Sequence, residues 1–323
     1  MTYTNNVSTN IIRDNSKEID YVVTPNTKEI FDRIFVNNFI ANKSFCLIGN
    51  YGTGKSTFLW ALEKNLKKEK LFFNSLSSKS DDSSEYDFIK IVGENNSLLK
   101  TLSSELKLKG PINGQKLITA LEKKRLKAQK NKKGLVLIAD EFGKFLEYAS
   151  KEKSNDELYL IQQISEWANN DVNDVFFIIT LHQNFTNYGK HLSNQDKLEW
   201  EKIKGRFVDL TFNEPVEQLI YFASKKLQEF NIPNNLKNDF KKLTSIIQSS
   251  KLVSHNKIIN DDLSSALFPL DWLSSNVLVN SLQRYGQNER SLFSFLNDDT
   301  DLSIRKNSQS FFGVSNVYDY LIN

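Results

Sequence analysis

The sequence predicts an α/β fold with a largely parallel β-sheet, followed by a smaller helical domain. Over the first two thirds of the chain, short apolar runs alternate with longer segments whose apolar residues recur at helical spacing. Three of the apolar runs lead directly into glycine or polar residues, and strand patterns stop after Glu214 and Pro215. Strands that alternate with helices are typical of a parallel sheet covered by helices.

The predicted strands are short apolar runs, the pattern of strands that are buried on both faces of a sheet. In chain order they cover residues 44–49, 71–73, 135–139, 175–181 and 207–212. The Ser- and Asp-rich stretch 75–86 is expected to be a loop.

The predicted helices carry apolar residues along one side. The first opens at Pro25 and includes the apolar residues Ile30, Ile34, Phe35 and Ile40. The second runs from Lys55 to about Lys70, and further helical patterns cover 97–108, 115–130 and 156–169. Residues 216–323 show helical patterns joined by Asn- and Ser-rich connections.

Composition and charge exclude several classes of protein. Lys and Arg number 42 and Asp and Glu 39, so the formal net charge of +3 gives no whole-chain argument for nucleic-acid binding. The single cysteine, Cys46, excludes an internal disulfide framework, and its apolar surroundings predict a small buried side chain. The chain opens without a signal-peptide pattern, and no run approaches the roughly 18 apolar residues that span a bilayer. We expect a soluble, cytoplasmic protein.

The strongest motif is GNYGTGKS at 49–56, which fits G-x-x-x-x-G-K-[ST] without a mismatch. A buried strand precedes it and an amphipathic helix follows, as a phosphate-binding loop requires, whereas a mere Gly-rich turn needs no such context. We expect the whole loop to bind the phosphates of a nucleoside triphosphate, through Gly49, Asn50, Tyr51, Gly52, Thr53, Gly54, Lys55, Ser56 and Thr57.

Each part of this loop has a physical task. Glycine permits backbone conformations that are closed to residues with a Cβ, so successive N–H groups can point at phosphate oxygens. The helix that starts near Lys55 adds its positive N-terminal end. Lys55 is expected to reach the β- and γ-phosphates, and the Ser56 hydroxyl to coordinate Mg²⁺.

Asp140 and Glu141 follow the predicted strand 135–139 directly. Ligands of open α/β sheets bind at the carboxyl ends of the strands. We therefore assign Asp140 to the Mg²⁺ shell, and Glu141 to the general base that polarises the attacking water. Asp140 follows Lys55 by 85 positions, which leaves room for an additional strand and helices between the two motifs.

His182 and Gln183 follow the strand 175–181, with Thr180 behind them. A polar side chain beside the γ-phosphate can orient the water and report whether that phosphate is present. The alternative is that these residues simply cap the strand.

Two arginines are candidates for contact with the nucleotide. Arg206 precedes the last predicted strand, and either projects into the site of a neighbouring subunit or forms an ordinary ion pair within its own chain. Arg290 either reaches the phosphates from the helical domain or has no such role.

With these motifs the sequence resembles the AAA+ ATPases, within the additional-strand class of P-loop NTPases. The resemblance rests on GNYGTGKST at 49–57, LVLIADE at 135–141, TLHQ at 180–183 and GRF at 205–207. It implies a parallel sheet in the order 5-1-4-3-2 flanked by helices and followed by a helical lid. It also implies that Arg206 is an arginine finger, that Arg290 is the second sensor, and that an adenine pocket lies near Tyr21 to Pro25. His182 or Gln183 stands where the family usually has a sensor Asn.

More narrowly, the segments DEFGKFLEYA (140–149), LHQNF (181–185), EWEKIKGRF (199–207) and YGQNERSLFSFL (285–296) are similar to large bacterial ATPases. Those ATPases are associated with restriction and phage defence, including BREX-type systems. They are typically longer, and the chain closes on an apolar segment, so we expect a fragment of a longer protein. We divide it into an irregular segment 1–20, a nucleotide-binding domain 21–213 and a helical lid domain 214–323.

A basic run spans Lys123, Lys124, Arg125, Lys127, Lys130, Lys132 and Lys133. It is either a solvated helix face or a contact for nucleic acid or an acidic partner.

The residues predict an ATPase that acts as an oligomeric motor or switch and uses ATP and Mg²⁺. Its candidate partners are further copies of the chain, nucleic acid and proteins of a defence system. The competing hypothesis is a nucleotide-gated interaction module that holds ATP with little turnover. A third hypothesis is a kinase for a small acceptor, for which the sequence shows no acceptor pocket.

Overall fold

The computed structural model of the protein describes residues 12, 19, 21–36, 42–73, 85–152, 155–189, 194–212, 216–250, 261–285 and 289–322. Within this part of the chain, five strands form one sheet. The strands are β1 (Ser44–Ile48), β2 (Glu85–Val92), β3 (Lys133–Asp140), β4 (Val175–Leu181) and β5 (Val208–Thr211). All neighbours pair in parallel in the order β2-β3-β4-β1-β5. This is the order 5-1-4-3-2 read from the opposite edge, so the expected sheet is confirmed.

The helices up to the end of the sheet are α1 (Pro25–Phe35), α2 (Lys55–Leu66), α3 (Leu98–Glu105), α4 (Gly114–Lys130), α5 (Gly143–Lys151), α6 (Asn155–Asn169), α7 (Phe185–Tyr188) and α8 (Asn194–Lys204). After β5 follow α9 (Val216–Leu227), α10 (Lys237–Ser249), α11 (Asp261–Ala266), α12 (Trp272–Tyr285), α13 (Glu289–Asn297) and α14 (Val314–Ile322). None of the helices in the described residues is long and apolar enough to cross a lipid bilayer.

Both faces of the sheet are covered, because side chains alternate between the faces along each strand. In β3, Leu137 and Ala139 join a cluster with α3, α4, α5 and α6, whereas Val136 and Ile138 join a second cluster with α1 and α2. Cys46 of β1 is fully buried in the first cluster, and burial raises the pKa of its thiol. The apolar runs seen in the sequence therefore form a sheet that lies between two layers of helices.

The prediction of a strand at 71–73 is wrong. The backbone N–H groups of Phe72 and Phe73 donate instead to the side-chain oxygen of Asn65, at 2.8 and 2.9 Å. The second strand is β2, at the edge of the sheet, where charged and apolar residues alternate and burial is only partial. The predicted loop 75–86 therefore ends too late, since β2 begins at Glu85, and its residues 75–84 lie outside the described part.

Smaller boundary differences have local causes. Helix α2 ends at Leu66 rather than near Lys70, because the chain leaves helical geometry at Lys68, whose φ is +57°. Ile40, assigned to the first helix, lies outside the described residues. So does most of the segment 1–20, of which only Ile12 and Ile19 are described.

The helices after β5 have a core of their own. Its members include Leu219 of α9, Leu278 of α12 and Phe295 of α13. A hydrogen bond from the backbone N–H of Asn26 in α1 to the side chain of Gln218 in α9, at 3.0 Å, links this part to the sheet part. The division at 213/214 lies outside the described residues, and the three-part domain division stays a prediction.

Candidate functional site

The predicted phosphate-binding loop, residues 49–56, lies at the carboxyl edge of the sheet, between β1 and α2. The backbone N–H of Gly49 donates to the carbonyl of Leu181 at the end of β4, at 3.1 Å. A Cβ at Gly49 would lie 2.0 Å from the carbonyl oxygen of Phe212, beyond β5. Only glycine fits between these two strand ends, which fixes the start of the loop.

The second half of the loop turns through conformations that favour glycine. Gly52 and Gly54 have φ angles of +76° and +86°, in the left-handed region. Gly54 directly precedes α2 and has no side chain with which to cap it. The first N–H groups of α2 and the positive end of its dipole therefore favour the binding of an anion at this point.

The Lys55 ammonium is folded into the loop. Its Nζ donates to the carbonyl oxygens of Gly49 and Asn50, at 2.6 and 2.7 Å, and approaches the Thr53 hydroxyl at 3.4 Å. The hydroxyl of Thr57 donates to the carbonyl of Gly54, at 2.7 Å. These bonds hold the loop in a curved shape, with the ammonium at its centre.

Ser56 and Asp140 are in direct contact, although 84 residues separate them. The Ser56 hydroxyl donates to Oδ2 of Asp140 at 2.8 Å. Asp140 is only 4% exposed, and burial raises the pKa of its carboxyl, against the opposing effect of the hydroxyls of Thr180 and Ser56. The loop and the end of β3 thus form one polar site.

Thr180 joins the parts of this site, because β4 lies between β1 and β3. Its hydroxyl donates to Oδ1 of Asp140 at 2.6 Å and accepts from the backbone N–H of Glu141 at 2.9 Å. Sequence reasoning placed Thr180 behind His182 and Gln183 and missed these two bonds. The signal was a polar residue at the end of an otherwise apolar strand.

Thr180→Val is expected to destabilise the protein by about 1–3 kcal/mol, because it leaves a buried carboxylate oxygen and a backbone N–H without their partner. Urea unfolding measures the difference. Thr180→Ser keeps the hydroxyl and is the matched control. Equal free energies of unfolding for the two variants would show that the cost arises from packing and not from the hydrogen bonds.

The backbone of Glu141 is held on several sides. Its φ is +49°, an uncommon value for a residue other than glycine. The backbone N–H of Phe142 donates to the carbonyl of Thr180 at 3.0 Å. A Cβ at Gly93, just after β2, would lie 2.0 Å from the carbonyl oxygen of Glu141. The end of β3 is therefore wedged between the ends of β2 and β4.

The Glu141 carboxylate forms an ion pair with the ammonium of Lys144, in the first turn of α5. The two side chains are 23% and 44% exposed, so water reaches the pair. Lys144 was not singled out from the sequence, since its place beside Glu141 depends on the turn that leads into α5. The predicted general base therefore has a cationic partner in its own chain.

His182 lies against the phosphate-binding loop. Its ring stacks on the ring of Tyr51, with centroids 4.7 Å apart and planes at 21°. Its Nδ1 is 2.9 Å from the hydroxyl of Tyr188 in α7. Burial lowers the pKa of His182, which favours a neutral imidazole. Gln183 follows and is half-buried.

Arg206 lies at the opposite edge of the sheet. The side-chain N–H of Asn169 donates to the carbonyl of Arg206, and its side-chain oxygen accepts from the backbone N–H of Lys43, which precedes β1. β1 is five residues long, so roughly 16 Å of strand separate Arg206 from the loop of its own chain. Its guanidinium donates to the carboxylate of Glu166 at 2.9 and 2.5 Å, the ion pair that was the alternative to a contact in trans.

Two further predicted contacts are less completely described. Arg290 lies in α13, and its side chain lies outside the described residues. The expected adenine pocket near Tyr21 to Pro25 adjoins the start of α1, where the ring of Tyr21 meets that of Phe72 edge-on at 5.5 Å. Both remain predictions.

The donor set suits Mg²⁺ rather than a metal held wholly by protein. Ser56 and Asp140 supply one hydroxyl and one carboxylate beside the loop. Among the described residues there is no group of three His, Cys, Asp or Glu side chains that could hold a metal ion. Mg²⁺ commonly takes one or two protein ligands together with phosphate oxygens and water, so the residues present fit it.

Comparison with known proteins gave structural similarities only. No protein-family model matches the sequence, and no curated protein matches it. The Aeropyrum pernix ORC2 protein in its ADPNP–ADP complexes has a TM-score of 0.47 and 12% identity, over 94% of this chain and 70% of that one. The A. pernix ORC1 protein in complex with DNA has a TM-score of 0.48 and 14% identity, over 93% and 65%. Drosophila ORC bound to DNA has a TM-score of 0.47 and 10% identity, over 91% and 65%.

The chain thus spans less than two thirds of the last two structures. At these identities and TM-scores, functional conclusions must come from the geometry of the site itself.

Proposed function

We propose that the protein is an ATP-binding and ATP-hydrolysing module of the AAA+ type, which acts as an oligomeric motor or switch. The observation that carries the proposal is the 2.8 Å hydrogen bond between Ser56 and Asp140. It joins the phosphate-binding loop to the strand end that bears Glu141, which is the arrangement that hydrolysis of a bound triphosphate requires.

In this mechanism the loop N–H groups and Lys55 bind the β- and γ-phosphates. Ser56 and Asp140 would hold Mg²⁺, which would supply positive charge next to the phosphate oxygens. The Glu141 carboxylate leaves Lys144 and accepts a proton from the attacking water. We assign the response to the γ-phosphate to His182, which stacks on Tyr51 of the loop, and to Gln183, which follows it.

Release of phosphate from ATP by the wild-type protein tests this function directly. We expect steady turnover that requires Mg²⁺, with ADP and free phosphate as the products. Transfer of phosphate to an acceptor would indicate a kinase instead. Native mass, measured in the same buffer with and without ATP, tests the expected oligomer.

Catalysis is proposed to occur between subunits, with Arg206 as the group that enters the neighbouring site. Arg206 is too far from the loop of its own chain to contact a phosphate there. The pair that it forms with Glu166 is exposed at the Glu166 side, and such pairs contribute little to stability. The guanidinium also donates to the carbonyl of Lys202, so entry into a neighbouring site means giving up this bond as well as the weak pair with Glu166.

Turnover per subunit is expected to rise with protein concentration, and Arg206→Ala is expected to lower it about 10³-fold, the lower end for an arginine finger. The measurement is phosphate release across a dilution series. Glu166→Gln is the control, because it removes the ion-pair partner and keeps the arginine. A rate per subunit that stays flat, and is unchanged in Arg206→Ala, would contradict catalysis in trans.

The second candidate function is a nucleotide-gated interaction switch with little turnover. The pairing of Glu141 with Lys144 favours it, because a carboxylate bound to an ammonium is not positioned to accept a proton from water. Nucleotide that stays bound through purification, with negligible phosphate release, would support the switch.

For the biological setting, we propose a cytoplasmic role in bacterial defence or DNA transactions. This rests on the segments at 140–149, 181–185, 199–207 and 285–296, which are similar to defence-associated ATPases. Phage challenge of cells that carry the intact gene neighbourhood, with and without Lys55→Ala, tests it. Equal phage sensitivity of the two strains would contradict a defence role.

A further inference from the structure

Helix α4 carries a row of lysines along one side, which we call the α4 lysine stripe: Lys116, Lys123, Lys127 and Lys130. At 3.6 residues per turn these four positions fall within a sector of about 60°. They span 14 residues, or about 21 Å at 1.5 Å per residue. The stripe is therefore nearly parallel to the helix axis and extends over most of its length.

The stripe faces away from the protein. The opposite side of α4 buries Leu117 and Leu121 in the cluster that covers the sheet, and Ala128 is buried on the same side. All four lysines of the stripe are exposed, and so is Lys124 beside it. Since the apolar side is already packed against β3 and α6, the cationic side is the one available to a partner.

The acidic groups of the helix and its surroundings pair with other residues, so they do not neutralise the lysines of the stripe. The single acid of α4, Glu122, bonds Arg125 and the indole N–H of Trp167. Glu85, near the end of the helix, pairs with Lys133. Arg125 and Lys133 are thus paired within the protein and do not belong to the stripe. Lys116 lies outside the basic run of the sequence but belongs to the stripe.

The stripe is electrostatically unfavourable in the isolated protein. Lys123 and Lys127 are i,i+4 neighbours, and Lys127 and Lys130 are i,i+3 neighbours, so like charges repel along the helix. Among the residues that the structure describes, the partners of Lys116 are neutral acceptors, the carbonyl oxygens of Lys109 and Pro111 at 3.5 and 3.0 Å. A linear polyanion would relieve this repulsion and could pair with all four lysines at once.

We propose that the α4 lysine stripe binds the phosphate backbone of double-stranded DNA without sequence preference. Protein interfaces are depleted in lysine and use aromatic anchors, which the stripe lacks. Single strands bind through stacking on aromatic rings, also missing from α4, all of which is described. A straight row of ammonium groups offers charge alone, which is the sequence-independent part of duplex binding.

The position of α4 connects this surface with the site at Asp140. α4 leads through Asn131 and Lys132 directly into β3, the strand that ends at Asp140. Helix and strand are antiparallel neighbours packed along their length, so the Lys116 end lies toward the carboxyl edge of the sheet. The proposal itself does not rest on hydrolysis, and it can be tested without nucleotide.

The test is the fluorescence anisotropy of a labelled duplex of about 20 base pairs, longer than the stripe at 3.4 Å per pair, titrated between about 50 and 200 mM KCl. For four phosphate contacts, log K should fall with log[KCl] with a slope of about −3.6. The combined variant Lys123→Gln, Lys127→Gln and Lys130→Gln should weaken binding at least 10-fold at the lowest salt. The slope of log K against log[KCl] for this variant should be less negative than that of the wild type by about 2.7.

The matched control is Lys237→Gln, Lys241→Gln and Lys242→Gln, which removes the same charge from exposed positions of α10. It should bind DNA like the wild type. The proposal fails if the wild type does not bind the duplex at low salt or if the control loses as much affinity. Tighter binding of single-stranded DNA, of duplex RNA or of an acidic peptide would also overturn it. Because no ATP is present, none of these outcomes depends on the proposed ATPase activity.

Discussion

Glu141→Gln is expected to lower ATP turnover about 100-fold to 10,000-fold, the range that a general base contributes, while nucleotide binding is retained. Glutamine has nearly the same shape as glutamate and keeps the backbone contacts of this residue with Thr180 and Gly93. What it loses is the ability to accept a proton from water. The measurements are phosphate release and, separately, the affinity for a fluorescent ATP analogue.

The control for this variant is Glu152→Gln, which removes one negative charge from an exposed position just after α5. Its turnover should equal that of the wild type. Unchanged turnover in Glu141→Gln would remove Glu141 from catalysis. It would leave the low-turnover switch as the better account of the site.

Lys55→Ala is expected to weaken ATP binding about 100-fold or more. Two charge-assisted hydrogen bonds to phosphate are together worth about 3 kcal/mol, and every 1.4 kcal/mol is a factor of ten. In this structure the ammonium already lies at the centre of the loop, on the carbonyls of Gly49 and Asn50. The loss should appear in a titration with labelled nucleotide.

Lys64→Ala is the matched control, because Lys64 lies in the last turn of the same helix and pairs with Glu69 at the surface. Both variants remove one ammonium from α2. If both bind nucleotide equally well, the loop does not bind phosphate through Lys55, and the proposed function loses its first step.

The strands at the centre of the sheet could be predicted because they are buried on both faces. β3 and β4 are almost wholly apolar, and their predicted bounds lie within two residues of those observed. β2 could not be found in this way, since its edge position leaves it half-exposed and its residues alternate with charges. Leu71, Phe72 and Phe73 imitate a strand, but the side chains of Phe72 and Phe73 pack in the cluster with α1 and α2, and that of Leu71 is exposed.

The candidate site was predicted where one segment carries it, and was incomplete where it depends on distant segments. The loop is a local motif, and the contact of Ser56 with Asp140 follows once both are placed at the same sheet edge. The two bonds of Thr180 require β4 to lie between β1 and β3, an order that no local pattern contains. The pairing of Lys144 with Glu141 depends on the left-handed turn at Glu141, which cannot be predicted from the residue type.

The confinement of Glu141 between the ends of β2 and β4 has a kinetic consequence. Its main chain has little freedom to shift, because Gly93 and Thr180 abut it directly. Any exchange of its carboxylate between the Lys144 ammonium and a water molecule must then proceed by rotation about the side-chain bonds. Rotamer changes of exposed side chains take picoseconds to nanoseconds, whereas loop rearrangements are slower. Release of the Glu141 carboxylate from Lys144 would thus add no slow step of its own to the proposed catalytic cycle.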